Sequence, residues 1–600
     1  MVKDDIEELV ESSQGARESR DGVTNQECIK HLRLTDPRDD KKRIEETKGG
    51  LLPGLYGWIL ENSDFQQWRN DPQSRLLWIK GDPGKGKTML LCGIVNELEK
   101  SMVKTDLLSY FFCQGTDSRI NNSTAVLRGL IFMLADQQPS LTSHLRKKYN
   151  QAGKLLFEDR NSWVAVSDIL KNILQDPNLK TTYLVIDALD ECVKDLPKLL
   201  DFIVSTSSSL TSVKWLLSSR NMLHIEQKLR FTNERTRLSL ELKENAEQLS
   251  CLHSLQDDDL KDRVRDILRQ KANGTFLWVA LVVQELERPE NWDPLLVVEE
   301  VPTDLYQLYD RMVNQIQQLP ERHREFCNLM LSIATVAYRP LFLAEIGSLC
   351  GLPEDISVLT DNVRKVVAMC GSFLTIQEDQ VYLIHQSAKD YLSDKARATI
   401  FPSQEITHDK IFSRSLELMS GTLKRNMYGL STPDFPIDQV QVPVQDPLAM
   451  TRYSCVYWVT HLCDSVSGKS MKRDELWDEG TVHTFLKTKY LYWLEALSLC
   501  KSMSEGVILV AKLQTLIQGE AKASALIELV QDAHRFIMYH KGRIENNPLQ
   551  AYGSALVFSP VRSLVKALFK EEQKWIKVLK ADIGDKWRRG IKSGWSMDNI

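Results

Sequence analysis

The stretch RLLWIKGDPGKGKT, residues 75–88, decides the fold class of this chain. A short apolar run leads into a glycine-rich loop that fits the pattern G-x-x-x-x-G-K-[ST] at every fixed position. Such a loop wraps around phosphate oxygens with its backbone N–H groups, and glycine permits the close approach and the unusual dihedral angles that this requires. The helix that follows adds the positive end of its dipole. The sequence therefore predicts a strand, a phosphate-binding loop and a helix, in that order.

The residues of this loop also predict the ligand. They are Gly81, Asp82, Pro83, Gly84, Lys85, Gly86, Lys87 and Thr88. In this pattern Lys87 reaches the β- and γ-phosphates, and the Thr88 hydroxyl is a ligand of Mg²⁺. We expect a purine nucleoside triphosphate, ATP or GTP, bound together with Mg²⁺. Because the loop contacts only phosphates, it does not distinguish adenine from guanine. The alternative, an incidental glycine-rich turn, is disfavoured by the strand before it and the helix after it.

Two further apolar runs end in charged residues. The run YLVID ends in Asp187, which is the second predicted contact of Mg²⁺. Asp190 and Glu191 follow where the γ-phosphate would lie, and one of them could orient or deprotonate the attacking water. The alternative for this pair is a solvated acidic loop. The run WLLSSR ends in Arg220, whose guanidinium could detect the γ-phosphate, and the alternative is an ordinary surface arginine.

Apolar runs alternate with helix-length amphipathic segments up to about residue 243, and helical patterns dominate beyond it. Continuous apolar runs are typical of strands covered on both faces, so we expect a multidomain chain in which a parallel α/β sheet precedes all-α regions. Helices around a hairpin signal at 373–384 predict a winged helix. The predicted divisions are a polar tail (1–28), a leading segment (29–74), a P-loop NTPase domain (75–243), a small helical domain (244–300), a winged-helix domain (301–400), a helical domain (401–570) and a tail (571–600).

Composition excludes several classes of function. The 600 residues carry a net charge of −5, which argues against a general binder of nucleic acid or of anionic membranes. The winged helix offers only Arg364 and Lys365 as basic residues for DNA, too few for specific binding. No apolar stretch is long enough to span a bilayer, no signal peptide is evident, and the 11 cysteines are scattered singly. We expect a cytoplasmic protein that binds neither nucleic acid nor membranes.

Several segments together resemble one known family, the NACHT domains of filamentous-fungal STAND proteins. They are LRLTDPRDDKKRIEETKGGLL (32–52), the loop GDPGKGKT (81–88), TYLVIDALDEC (182–192), KWLLSSR (214–220), NGTFLWVALVVQEL (273–286), VYLIHQSAKDYL (381–392), YSCVYWVTHL (453–462) and the stretch 532–569. The resemblance covers roughly residues 28–570. The glycine-rich loop alone occurs in many nucleotide-binding families, whereas the combination of these segments is specific to this family.

The resemblance implies a signalling switch. Such a protein hydrolyses ATP or GTP slowly or merely exchanges it, is closed with diphosphate, and opens and oligomerises with triphosphate. It acts with signalling partners, unidentified here, in heterokaryon incompatibility and related innate-immune-like signalling. By this resemblance Asp190 and Glu191 take the catalytic acid positions and Arg220 the sensor position. His385 matches a histidine that holds the diphosphate, the alternative being a structural histidine. The run 36–38 matches residues that line the base pocket.

The chain also departs from that family. Its relatives usually carry an effector domain before the NACHT module and a WD-repeat or other repeat array after it, whereas residues 1–28 are too short for an effector and no repeat follows Phe569. The sequence therefore predicts a NACHT core without either part. Two other functions stay open. An ATPase that does mechanical remodelling is disfavoured because the sequence contains no recognisable substrate-threading loop. A non-hydrolysing scaffold is disfavoured by the intact acids.

Overall fold

The computed structural model describes residues 25–48, 50–51, 53–159, 161–229, 237–241, 258–272, 275–286, 293–357, 359–394, 403–466, 474–518 and 522–573. Most of the predicted tails 1–28 and 571–600, and the start of the predicted small helical domain, lie outside these residues. The chain divides into two units, Met1–Met312 and Val313–Ile600, which are described separately.

The first unit contains a parallel sheet of five strands in the order β2-β3-β4-β1-β5. The strands are β1 (Leu76–Lys80), β2 (Leu107–Phe112), β3 (Thr182–Asp187), β4 (Val213–Ser219) and β5 (Arg237–Glu241). Every residue of β2, β3 and β4 is buried. Helices on both faces exclude water, and this is why these strands are continuously apolar in the sequence. The predicted parallel α/β sheet is confirmed.

Helices surround this sheet. They are α1 (Pro37–Thr47), α2 (Pro53–Glu61), α3 (Ser63–Asn70), α4 (Lys87–Ser101), α5 (Ser123–Gln137), α6 (Thr142–Ala152), α7 (Leu155–Glu158), α8 (Ser162–Leu174), α9 (Leu196–Ser209), α10 (Leu223–Leu229), α11 (Asp258–Ala272), α12 (Phe276–Leu286) and α13 (Pro294–Glu300). Residues 25–32 are also helical, so the predicted polar tail ends before them. Helix α1 begins where the Asp36 side chain accepts a hydrogen bond from the backbone N–H of Arg38, with Pro37 at the first helical position.

The second unit begins within a long helix and contains a small antiparallel sheet. The unit boundary falls within helix α14 (Leu305–Gln317). The helices that follow are α15 (Glu321–Val336), α16 (Leu343–Leu349), α17 (Glu354–Ser357) and α18 (Thr360–Met369). The strands β6 (Leu341–Phe342), β7 (Leu374–Gln377) and β8 (Gln380–Leu383) pair in the order β6-β8-β7. Glu378 and Asp379 both have positive φ, as a two-residue hairpin turn requires. The predicted hairpin is therefore present, and its assignment to a winged helix stays a prediction.

The rest of the second unit is helical, as predicted. It comprises α19 (Gln386–Asp394), α20 (Gln404–Thr422), α21 (Arg452–Val466), α22 (Thr481–Leu499), α23 (Met503–Ile517), α24 (Ser524–Asn546), α25 (Ser554–Val557) and α26 (Leu564–Leu568). Trp458 and Trp493 are fully buried where α21 meets α22, with ring centroids 5.7 Å apart. Among the described residues, no helix combines the length and the apolar character needed to cross a bilayer.

A buried carboxylate joins the small sheet to the helical part of this unit. Glu345, in α16, is fully buried and accepts hydrogen bonds from the two terminal nitrogens of Arg339 at 2.7 and 2.8 Å. It also accepts from the backbone N–H of Phe342 in β6 and from that of Tyr453 in α21. The four bonds satisfy a charge that would otherwise be costly to bury.

We expect Glu345→Ala to lower the free energy of unfolding by about 3–5 kcal/mol, because it leaves the Arg339 guanidinium buried without its carboxylate. Urea denaturation followed by circular dichroism measures the change. The matched control is Glu417→Ala, which removes a largely exposed carboxylate from its pair with Arg414 and should cost less than about 0.5 kcal/mol. Equal losses in the two variants would contradict a structural role for the buried pair.

Candidate nucleotide-binding site

The glycine-rich loop lies between β1 and α4, at the edge of the sheet where the parallel strands end. The backbone N–H of Gly81 donates to the carbonyl oxygen of Ser219, which attaches the start of the loop to β4. Gly84 and Gly86 have φ of +77° and +79°, the left-handed region that glycine adopts without strain. Helix α4 then begins at Lys87. The loop has the dihedral angles that the motif requires, as the sequence predicts.

The packing of helix α12 is a second reason why only glycine fits at positions 84 and 86. The backbone N–H of Leu277 donates to the carbonyl oxygen of Gly84. A Cβ atom added to Gly84 would lie 2.9 Å from Cγ2 of Thr275, and one added to Gly86 would lie 2.9 Å from the ring of Phe276. Such distances are too short for real contacts. The amino-terminal end of α12 therefore packs directly on the loop, a contact that the sequence analysis did not predict.

Lys87 lies across the loop. Its ammonium group donates to the carbonyl oxygens of Gly81 and Asp82 at 2.6 and 2.9 Å. Burial lowers the pKa of Lys87, while the nearby Asp190 and Asp187 carboxylates act in the opposite direction. A cation in this position can exchange its carbonyl partners for phosphate oxygens.

The two predicted Mg²⁺ ligands are in contact. Asp187 ends β3 and is buried, and its carboxylate accepts hydrogen bonds from the hydroxyls of Ser218 and Thr88. The Ser218 oxygen in turn accepts from the backbone N–H of Ala188 at 2.9 Å. Burial raises the pKa of Asp187, although these hydroxyls and the cations Lys48 and Lys87 partly oppose the shift. A carboxylate beside a hydroxyl is an oxygen donor set that Mg²⁺ prefers, so these residues fit the ion.

Asp190 is paired with Arg220. The backbone N–H of Arg220 donates to one carboxylate oxygen at 3.0 Å, and its Nε lies 3.1 Å from the other. The Arg220 side chain is 19% exposed, and the Asp190 side chain is 5% exposed. Arg220 is therefore not an ordinary surface arginine. Ala188, with φ of +53°, turns the chain after β3 so that Asp190 reaches the end of β4.

Glu191 has a different environment from Asp190. Its carboxylate accepts a hydrogen bond from the backbone N–H of Gly115, in the loop after β2, at 2.8 Å. Burial, followed by the negative charge of Asp190, raises the pKa of Glu191 to about 7. A group with this pKa exchanges a proton readily at neutral pH, as a general base must. Asp190 and Glu191 thus differ in their partners, and the assignment of either acid to water activation stays a prediction.

The contacts of the remaining predicted residues are as follows. His385 belongs to the second unit, directly after β8, where its Nδ1 contacts Ser387 at the start of α19. Its role in holding diphosphate stays a prediction. Asp36 caps α1, and Arg38 binds Asp36 and Asp136 on α5. These contacts give no support to a base pocket formed by residues 36–38.

Three of the site's contacts come from residues that sequence reasoning did not assign. Ser218 was visible in WLLSSR, where a serine ends an otherwise apolar strand. Gly115 and Thr275 carry no local signal, because their contacts join segments far apart in the chain.

A parallel sheet whose first strand runs through a glycine-rich loop into a helix, with a buried carboxylate ending a neighbouring strand, defines the class of P-loop NTPase folds. In comparison with known protein families, residues 54–220 match the family described as Nephrocystin 3, N-terminal.

The relationship to one curated protein is much more extensive. Over 584 residues, 92% of this chain, the sequence is 48% identical to the vegetative incompatibility protein HET-E-1 of Podospora anserina. The chain spans 43% of that protein's length. The resemblance is thereby confirmed: the chain is related, over nearly all of its length, to a NACHT-type protein of fungal heterokaryon incompatibility.

Solved structures give weaker matches. The Aeropyrum pernix ORC1 protein in complex with DNA is 16% identical, with a TM-score of 0.27, and the match covers 61% of this chain and 94% of that one. Drosophila ORC bound to DNA is 13% identical, with a TM-score of 0.26, and the match covers 61% and 90%.

We expect Ser218→Ala to weaken Mg²⁺-dependent nucleotide binding about tenfold, because the Asp187 carboxylate loses a donor that stabilises its charged form. Titration of nucleotide with Mg²⁺ and with EDTA measures the effect, which should appear only with the metal. The matched control is Ser219→Ala, whose hydroxyl contacts Trp78 and the Arg220 carbonyl instead of Asp187. Loss of affinity in EDTA as well would contradict a role through the metal.

Proposed function

We propose that this protein is a nucleotide-dependent signalling switch of the NACHT type. It binds ATP or GTP with Mg²⁺, hydrolyses it slowly, and opens or oligomerises in the triphosphate state during incompatibility or innate-immune-like signalling. The observation that carries this proposal is the convergence of Lys87, the Thr88–Asp187 pair and Glu191 at one edge of the sheet. The relationship to a vegetative incompatibility protein supports the signalling context.

In the proposed mechanism the residues of the loop hold the phosphates. Lys87 exchanges the Gly81 and Asp82 carbonyl oxygens for phosphate oxygens. Thr88 and Asp187 would hold Mg²⁺, which would neutralise charge on the phosphates when bound. Glu191 accepts the proton of the attacking water.

Arg220 gives the site a means of detecting the γ-phosphate. Its Nε is paired with Asp190, and a guanidinium has further N–H donors that can contact a phosphate. A ligand shifts a conformational equilibrium only by its difference in affinity for the two states. A contact between Arg220 and the γ-phosphate would provide such a difference between triphosphate and diphosphate.

Two alternative functions are retained. A remodelling ATPase would turn over rapidly, and a non-hydrolysing scaffold would not need the intact acids Asp187, Asp190 and Glu191, which therefore favour hydrolysis over the scaffold. We also propose the domain divisions given above, a cytoplasmic location, unidentified protein partners, and no binding of nucleic acid or membranes.

The first experiment identifies the nucleotide that copurifies with the protein. We expect denatured protein to release ADP or GDP, and Lys87→Ala to release none, because the variant lacks the cation that binds the phosphates. Ion-exchange chromatography of the released ligand also identifies the base. We expect His385→Ala to retain less diphosphate than the parent. An empty parent that hydrolyses nucleotide rapidly would favour the remodelling ATPase, and an empty, inactive parent would favour the scaffold.

The pKa of Glu191 predicts a pH dependence. Hydrolysis should rise as pH increases through about 7, because the general base must be deprotonated, and Glu191→Gln should abolish turnover while leaving nucleotide binding intact. A carboxyl whose pKa is raised by folding destabilises the protein as pH rises above its unfolded pKa. Glu191→Gln should therefore raise the Tm at pH 8 by more than at pH 5. A turnover rate that is flat from pH 6 to 8 would exclude Glu191 as the base.

A further inference from the structure

Helix α1 reaches the loop after β2 through one arginine. A terminal nitrogen of Arg43 donates to the side-chain oxygen of Gln114 at 3.1 Å and to the Asp40 carboxylate at 3.1 Å. The Arg43 side chain is 25% exposed and that of Asp40 is 12% exposed. The guanidinium is thus held between its own helix and the β2 loop, and it is largely shielded from solvent.

Gln114 immediately precedes the residue that holds Glu191. The backbone N–H of Gly115 donates to the Glu191 carboxylate at 2.8 Å. Asn121 also joins the same loop to the segment after β3. Its side-chain amide donates to the Gly115 carbonyl oxygen, and its backbone carbonyl oxygen accepts a hydrogen bond from the N–H of Val193. A continuous series of contacts therefore leads from α1, through Arg43 and Gln114, to the carboxylate of Glu191.

We propose that Arg43 and Gln114 are positioning residues for Glu191. They fix the β2 loop against α1, and the Gly115 amide in turn fixes the acid that activates water. Loss of either side chain is therefore expected to lower the rate of hydrolysis more than the affinity for nucleotide. This inference rests on the proposed function.

The test separates the rate of hydrolysis from nucleotide affinity. Arg43→Met and Gln114→Leu should each lower the single-turnover rate roughly three- to tenfold, since small displacements of a catalytic group are costly, with the Kd for nucleotide within about twofold of the parent. Arg43→Lys keeps a donor and should restore most of the rate. The matched control is Lys42→Met on the same helix. The Lys42 side chain is exposed and lies 3.9 Å from the Glu46 carboxylate, so its loss should leave the rate of hydrolysis unchanged.

A double-mutant comparison distinguishes positioning from a general structural effect. Glu191→Asp shortens the side chain and withdraws its carboxylate from the Gly115 amide. In that background Arg43→Met should cause no further loss of rate, because residues that act through one another are not additive. Equal losses in the parent and Glu191→Asp backgrounds, or a parallel loss of affinity and rate, would overturn the proposal.

Hydrogen exchange tests the physical link without depending on turnover. The amide of Gly115 should exchange faster in Arg43→Met and Gln114→Leu than in the parent, and no faster in Lys42→Met. Unchanged exchange in all three variants would overturn the proposal. A parent that binds nucleotide but does not hydrolyse it would contradict the proposed function instead, and the exchange result would then decide whether Arg43 holds the loop.

Discussion

The burial of the Asp187 carboxylate is the constraint on which the rest of the site depends. A carboxylate removed from water must be met by donors or cations, and here the hydroxyls of Ser218 and Thr88 supply the contacts. The strand order makes this possible, because β4 lies between β3 and β1 and brings Ser218 alongside the end of β3. Thr88 is contributed by the start of α4, the helix that follows the loop. One buried charge thus fixes the relative positions of three segments.

Much of the first unit could be predicted from the sequence, for a physical reason. Strands buried on both faces are largely apolar, so the runs that form β2, β3 and β4 stand out between helical segments. The phosphate-binding loop is equally legible, because its dihedral angles restrict the residues at Gly84 and Gly86. The helical second unit and its hairpin follow from periodicity and turn composition.

What the sequence could not supply are contacts between distant segments. Asp190 and Glu191 are adjacent acids with no local difference, yet one is paired with Arg220 and the other accepts a hydrogen bond from the Gly115 amide and has a raised pKa. Only the fold distinguishes them, because burial and partners come from β2 and β4. The packing of α12 on the two loop glycines is invisible for the same reason. The run 36–38 forms a helix cap and a contact with α5, and the base pocket that the resemblance implies for it stays a prediction.

The buried Glu345 has a mechanical consequence. Its four hydrogen bonds tie Arg339, strand β6 and helix α21 to helix α16, so these pieces resist being bent or sheared past one another. Hydrogen bonds to a charge are stronger in a low-dielectric interior than in water, which makes the junction stiff. Because β8 pairs with β6, a displacement of the hairpin β7–β8 is expected to move α16 and α21 with it as one rigid group.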